Sequence, residues 1–280
     1  MKSRQVALVI TSQTNSGGIR RLTKLSGALG PVKARSYRQA SRIANALRAG
    51  FPVHDYEELA PARLILISAP DAELASVVSG LAKARLRWAR KSVLLCGNGQ
   101  ESERLGELAD LGAATGSLST VEGVDEPRSL IEGDPRAVRE ARRLVEASGG
   151  RAVEIKRSTQ RLCSAATAFA SWLLLPAIDA SMRCLRLAGF TPGKAAPIIE
   201  DCVGRALRAY LKAGRRSWKP PSSAADRQAF LSQVEALSAR DPALAELLLE
   251  SARTSLRRAG RKADWIEAQA PAARRAAAGR

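Results

Sequence analysis

Three short apolar runs mark the first half of the chain: VALVI at Val6–Ile10, LILIS at Leu64–Ser68 and SVLLC at Ser92–Cys96. Runs of this kind are typical of parallel strands that are buried on both faces. Weaker strand candidates lie at Val32–Ser36, Phe51–Val53, Ala113–Leu118 and Arg151–Ile155. The pattern therefore predicts a sheet of several strands in this half.

Segments with helical spacing of apolar residues separate these strands. The first predicted helix is Ile19–Leu29, which Gly30-Pro31 is expected to end, and the second is Ser41–Leu47. A third helix is predicted to begin after Asp71, which acts as its cap. The last is predicted to begin with Ser129–Glu132 and Gly133-Asp134-Pro135. Strands that alternate with helices indicate βαβ units and a parallel sheet. The first half is thus predicted to be an α/β domain.

After about residue 158 the strand signals stop, and the rest of the chain is predicted to be helical. The predicted helices cover residues 159–188, 191–213, 224–238 and 241–259. This change divides the chain into an α/β domain at 1–156, an all-helical domain at 157–262 and an Ala- and Arg-rich tail at 263–280.

The most apolar stretch, Leu162–Ile178, approaches the length of a membrane span. It contains several polar residues and Pro176, and Asp179 follows it directly. We interpret it as a buried helix of the helical domain. The N-terminus lacks the features of a signal peptide, so we expect a cytoplasmic protein that does not enter a membrane.

Composition limits the partners and metal sites that can be expected for this protein. The formal net charge is +18, which makes nucleic acid one candidate partner. Aromatic residues do not alternate with the arginines, however, and a solvated basic surface accounts for the charge without a nucleic-acid partner. The four cysteines form no Cys-x-x-Cys pair, and His54 is the only histidine. We therefore expect no metal site and predict reduced, half-buried thiols.

The loop after the first strand reads TSQTNSGG and lacks the G-x-G-x-x-G pattern of dinucleotide-binding proteins. Two interpretations stay open. Either its polar side chains bind a pyrophosphate in place of bare backbone, or the loop only caps the following helix. The residues concerned are Thr11, Ser12, Gln13, Thr14, Asn15, Ser16 and Gly17.

The second strand candidate ends without an acidic residue. Arg35, Ser36 and Arg38 stand there instead. If a dinucleotide binds, these side chains suit the 2′-phosphate of NADP better than the free ribose hydroxyl of NAD. The competing interpretation is that they are ordinary surface residues.

Three segments carry a resemblance to a known family. They are the turn SAPDAEL, the segment GSLSTVEGVDEPRSLIEGDP, and RSTQRLCSAATAFASWLLLPAIDASMRCLRLAGFTP. Together they resemble Rossmann-like proteins with a C-terminal domain of unknown function, family 2520. That family is related to the 6-phosphogluconate dehydrogenase-like and pyrroline-carboxylate reductase-like NAD(P)-dependent oxidoreductases. The likeness covers roughly residues 5 to 215.

The resemblance implies a Rossmann-type domain followed by an all-α domain like the C-terminal domain of 6-phosphogluconate dehydrogenase, which pairs two subunits and completes the site. It places Ser68, Ala69 and Pro70 beneath a nicotinamide, with Cys96 beside them. Further residues implied to line the pocket are Asn98, Ser119, Thr120, Ser164, Thr167 and Ser171.

The chain departs from the family at polar positions. Ser119 and Ser164 stand where the family has histidines, and Trp172 stands where it has an asparagine. Asn98, Ser119 and Ser164 are the remaining catalytic candidates, since His54 is interpreted as a surface residue. Three hypotheses follow: a divergent NADP-dependent oxidoreductase, a non-catalytic nucleotide- or partner-binding protein, and a basic protein associated with nucleic acid.

Overall fold

A computed structural model describes residues 6–11, 29–97, 99–121 and 128–267. Within these ranges, eight strands form one sheet in the order β3-β2-β1-β4-β5-β6-β7-β8. Every neighbouring pair is parallel except β6 and β7, which are antiparallel. The strands are β1 Val6–Ile10, β2 Leu29–Lys33, β3 Phe51–Pro52, β4 Leu64–Ser68, β5 Ser92–Cys96, β6 Ala114–Val121, β7 Arg128–Gly133 and β8 Arg151–Glu154.

The described helices fall into two groups. Four connect strands: α1 Tyr37–Leu47, α2 Asp71–Lys83, α3 Gly106–Asp110 and α4 Pro135–Ala147. The others come after the sheet: α5 Gln160–Ala170, α6 Leu175–Leu187, α7 Pro192–Ala213, α8 Ala224–Ser238, α9 Pro242–Arg258 and α10 Asp264–Glu267. The chain forms two compact units, residues 1–170 and 171–280, so α5 belongs to the unit that contains the sheet.

Apolar side chains fill both faces of the sheet. Alternate residues of β1, such as Leu8 and Val9, enter different clusters on the two faces. α1 and α4 cover one cluster, while α2 and α3 cover the other. Burial on both faces explains why the central strands are nearly continuous apolar runs. The predicted Rossmann-type α/β class is confirmed.

The sequence-based expectation for the second strand was wrong at its start. Leu29 belongs to β2 and not to the helix predicted at Ile19–Leu29, the rest of which lies outside the described residues, and Gly30-Pro31 lies inside the strand. Proline cannot donate a ladder hydrogen bond, but here Val53 N–H donates to Val32 O at 3.0 Å and keeps the neighbouring strand in place. The strand also ends earlier than predicted, at Lys33.

The segment Ser129–Glu132 was expected to begin a helix, but it lies in β7. Pairing with β6 outweighs the helix-start signal, and the helix begins only at Pro135. Gly133 makes the turn, with a φ of +130°. Asp134 N–H then donates to Thr115 O at 2.8 Å, which fixes the start of α4 against β6.

The predicted helix 159–188 is interrupted by a turn at 171–174, and Pro176 lies in the first turn of α6. The expectation that the apolar stretch is buried was also wrong for this single chain. Leu162 is 70% exposed and Phe169 is 72% exposed. By length and composition Gln160–Leu187 is apolar enough to cross a membrane, but one such segment is weak evidence for a membrane protein.

The second unit, residues 171–280, has a small apolar core of its own, formed by residues from Val234 to Ile266. Phe230 packs edge-on against Trp265 there, with ring centroids 5.7 Å apart. In contrast, α6 has no buried residue and α7 buries only Ala195. Among the described residues of this unit, the core is therefore made by α8, α9 and α10.

Candidate functional site

The carboxyl ends of β1 and β4 lie side by side and bring together Thr11 and Ser68, two of the residues predicted to bind a cofactor. Thr11 N–H donates to Ser68 O at 3.0 Å, and both side chains are buried. Ala69 and Pro70 follow at the turn into α2. In α/β sheets of this order, the strand order reverses at β1 and β4, and this is where ligands bind.

Gln100 fixes the geometry of that turn. Its side-chain amide donates to Ala69 O at 2.8 Å and to Asp71 Oδ1 at 3.1 Å, while Arg104 pairs with Asp71 at 3.3 Å. Asp71 is the first residue of α2 and makes no cap hydrogen bond, so its predicted role as the helix cap was wrong. The turn after β4 is thereby tied to the segment that follows β5.

Arg35, Ser36 and Arg38 all lie on the exposed surface where β2 leads into α1. Ser36 is the N-cap of α1, and its hydroxyl accepts from Gln39 N–H at 3.2 Å. Arg35 forms a two-point ion pair with Glu73. The guanidinium of Arg35 lowers the pKa of Glu73, so the pair is charged at neutral pH.

Cys96 closes β5 and is buried, with 3% of its surface exposed. Burial raises the pKa of its thiol to about 12. A thiol with that pKa is protonated at neutral pH and is a poor nucleophile. Cys96 therefore contributes packing at this edge of the sheet, in agreement with its interpretation as a structural thiol, although it is fully buried and not half-buried.

The two serine candidates lie near the same edge. Ser119 is buried and comes directly after Leu118, which pairs with Cys96 and accepts from Gly97 N–H at 3.2 Å. Ser164 is in α5, and its hydroxyl would lie 3.6 Å from a Cβ added at Gly99. The structure thus brings α5 against the loop after β5.

Several predicted residues lie outside the described part of the chain. They are Ser12, Gln13, Thr14, Asn15, Ser16, Gly17 and Asn98. His54 is exposed, as expected, and its ring stacks on Tyr37 with centroids 4.1 Å apart. Across the described ranges, no group of three or more His, Cys, Asp or Glu side chains could hold a metal ion.

A buried polar network supports the site and was missed in the sequence. Glu132 accepts from Ser102 N–H at 2.9 Å and Ser102 Oγ at 2.8 Å, and also from the hydroxyl of Ser117. Gln160 donates to Ser117 Oγ at 3.3 Å and to Leu130 O at 3.1 Å. The network joins β6, β7 and the start of α5, and the only sequence signal for it is an acidic residue within an apolar strand.

Comparisons with solved structures identify the fold. An imine reductase from Streptomyces aurantiacus is 14% identical, with a TM-score of 0.68 and coverage of 94% of this chain and 98% of that chain. The Myxococcus stipitatus imine reductase in complex with NADP+ is 12% identical, with a TM-score of 0.67 and coverage of 90% and 94%. The Aspergillus terreus reductive aminase in complex with NADPH and ethyl levulinate is 15% identical, with a TM-score of 0.57 and coverage of 99% and 94%.

Comparison with curated protein sequences finds no match. A family model does match residues 128–255, and its description is Domain of unknown function (DUF2520). The match begins at β7 and extends through most of α9. The resemblance inferred from the sequence is therefore confirmed: the chain has a Rossmann-like sheet followed by a helical C-terminal region, and residues 128–255 match the DUF2520 model.

Proposed function

We propose that this protein is an NAD(P)-dependent oxidoreductase that acts on a small molecule and binds NADP in preference to NAD. The observation that carries the proposal is the meeting of β1 and β4 at the reversal of strand order, with Thr11 and Ser68 joined at their carboxyl ends. Structures with this fold include enzymes in complex with NADP+ and NADPH. When bound, the nicotinamide ring supplies or accepts a hydride.

The described residues fit a dinucleotide at both ends of this edge. Arg35 and Arg38 offer positive charge beyond β2, where a ribose phosphate would be held. At the other end, Gln100 holds the Ala69-Pro70 turn after β4, and β4 pairs with β5, the strand that ends at Cys96. In the proposed complex, Gln100 would keep the turn in place at the nicotinamide end of the dinucleotide, and the buried Cys96 side chain would help to exclude water there.

Thermal unfolding with added nucleotide tests the proposal. A ligand at about a hundred times its Kd stabilises the folded protein by about 2.7 kcal/mol. We expect NADPH to raise Tm by several degrees and NADH to raise it less. Because the chain carries a net charge of +18, ATP at the same concentration controls for general anion binding. Absence of a shift with either dinucleotide at millimolar levels, or an equal shift with ATP, contradicts the proposal.

A second candidate function is nucleotide binding without catalysis. It is favoured by the replacement of the two family histidines by Ser119 and Ser164, because a serine hydroxyl is a weak proton donor near neutral pH. Oxidation of NADPH in the presence of a panel of small carbonyl and imine compounds separates the two. Tight binding of NADPH with no turnover on any member of the panel favours the non-catalytic function.

We also propose that the protein is a homodimer formed through its helical region. Large apolar side chains on α5 and α7 are exposed in the single chain, with Phe169 at 72% and Leu211 at 76%. Helices α6 and α7 bury almost nothing within their own unit. Exposed apolar surface on this scale is typical of an interface between subunits.

The dimer is tested by light scattering of the purified protein. We expect a mass twice that of the 29.9 kDa chain. Leu211→Glu should shift the equilibrium towards the monomer, because a charge in an apolar interface lacks a partner. Leu111→Glu is the matched control, since Leu111 is 46% exposed at the end of α3 in the sheet unit. A monomeric wild type, or equal behaviour of the two variants, contradicts this assignment.

A further inference from the structure

An ion pair crosses the carboxyl end of β1. Arg35 follows β2, and Glu73 lies in the first turn of α2, the helix after β4. In the sheet, β1 lies between β2 and β4. Arg35 Nε donates to Glu73 Oε2 at 3.0 Å, and Nη2 donates to Oε1. The pair therefore spans the end of the strand at which the two halves of a dinucleotide would meet.

The pair uses the side of the guanidinium that recognises phosphate. Two adjacent N–H groups of arginine bind a carboxylate or a phosphate with the same two-point geometry. In this structure both of those groups, Nε and Nη2, are directed to Glu73. A 2′-phosphate that approached Arg35 would have to displace the carboxylate or lie close to its negative charge.

The exposure of the pair shows that displacement is feasible. The Arg35 side chain is 59% exposed and that of Glu73 is 29% exposed. Ion pairs at such positions contribute little to stability. The guanidinium can therefore exchange partners at small cost without disturbing the sheet.

We propose that Glu73 is a specificity-determining residue that competes with the 2′-phosphate of NADP for Arg35 and so reduces the preference for NADP over NAD. This inference rests on the proposed function, since it concerns the same nucleotide site. NAD lacks the 2′-phosphate, so its affinity does not depend on release of Arg35.

The test is the Kd of NADPH and of NADH, measured by calorimetry, for the wild type, Glu73→Gln, Arg35→Gln and the double variant. We expect Glu73→Gln to bind NADPH about fivefold more tightly, which corresponds to the free energy of the strongest exposed ion pairs. It should bind NADH with unchanged affinity. Arg35→Gln should reduce the difference between the Kd values of the two nucleotides. In the double variant, the gain from Glu73→Gln should disappear.

A matched control is Glu140→Gln, which also removes an acidic partner of an exposed arginine, Arg143, but on α4. It should leave both Kd values unchanged. The competition proposal is wrong if Glu73→Gln leaves the affinity for NADPH unchanged, weakens it, or raises the affinity for both nucleotides equally. The proposed nucleotide site is not affected by any of these results. If neither nucleotide binds the wild type or Glu73→Gln, the proposed function itself fails, and the competition proposal fails with it.

Discussion

Gly133→Ala is expected to destabilise the sheet unit by about 4 kcal/mol or more, which is in the range of the most damaging single substitutions. A Cβ at this position would lie 2.3 Å from Thr115 O and 2.4 Å from Gly116 Cα. Both are backbone atoms of β6, so neither can move aside without breaking the pairing of β6 and β7. The residue also has a φ of +130°, a backbone conformation that alanine rarely adopts, so strain adds to the loss of stability.

Urea unfolding followed by circular dichroism measures this loss. Gly149→Ala is the matched control, because Gly149 also has a positive φ, +77°, but nothing lies within 4 Å of its added Cβ. The control should lose only about 1 kcal/mol from backbone strain. A loss at Gly133 no larger than that at Gly149 would show that the close approach of β6 and β7 is not as described.

Glu132→Ala is expected to cost about 3 kcal/mol or more, because it removes the shared acceptor of a buried network. Glu132 is 1% exposed and accepts from the N–H and hydroxyl of Ser102 and from the hydroxyl of Ser117. Truncation leaves these donors without a partner and creates a cavity beside β6. Glu132→Gln keeps the volume and one acceptor oxygen, so it should cost less.

The same unfolding measurement tests this prediction, and Glu154→Ala is its control. Glu154 is also an acidic residue of the sheet, but its side chain is 58% exposed and its partner is Arg142. That variant should change the free energy of unfolding by about 1 kcal/mol or less. Equal effects of Glu132→Ala and Glu154→Ala would mean that the buried network adds little to stability.

The outcome at Glu132 also bears on the candidate site. Ser117 accepts from Gln160, the first residue of α5, which is the helix that carries Ser164. Loss of the carboxylate would loosen the link between β6 and α5. The positions of Ser119 and Ser164 therefore depend on the buried network of Glu132, Ser117 and Gln160.

Apolar runs predicted the central sheet well, because burial on both faces leaves a direct mark on the sequence. Val6–Ile10, Leu64–Ser68 and Ser92–Cys96 are strands with the predicted bounds. β2 was harder to place, since Gly30-Pro31 is also a helix-stop signal. β7 was not predicted for a related reason. A helix does start at Pro135, as its signal indicates, but the strand before it is identified only by its antiparallel pairing with β6.

The candidate site shows where local sequence stops being informative. Arg35 and Ser36 were predicted as the last residues of the second strand, but β2 ends at Lys33, so the structure places them just after it. Their partners were not predictable, because Glu73 is 38 residues from Arg35 and only the sheet order brings them together. Gln100 was missed for the same reason, since its contacts with the turn after β4 are visible only in three dimensions.

The depth of Cys96 has a consequence for oxidative chemistry. Peroxides and alkylating reagents attack the thiolate, and a thiol with a pKa of about 12 offers almost none of it at neutral pH. Cys202, in contrast, is exposed on α7. Mild oxidants should therefore modify the helical region first, while the sulfur beside the proposed nicotinamide position stays reduced for as long as the sheet remains folded.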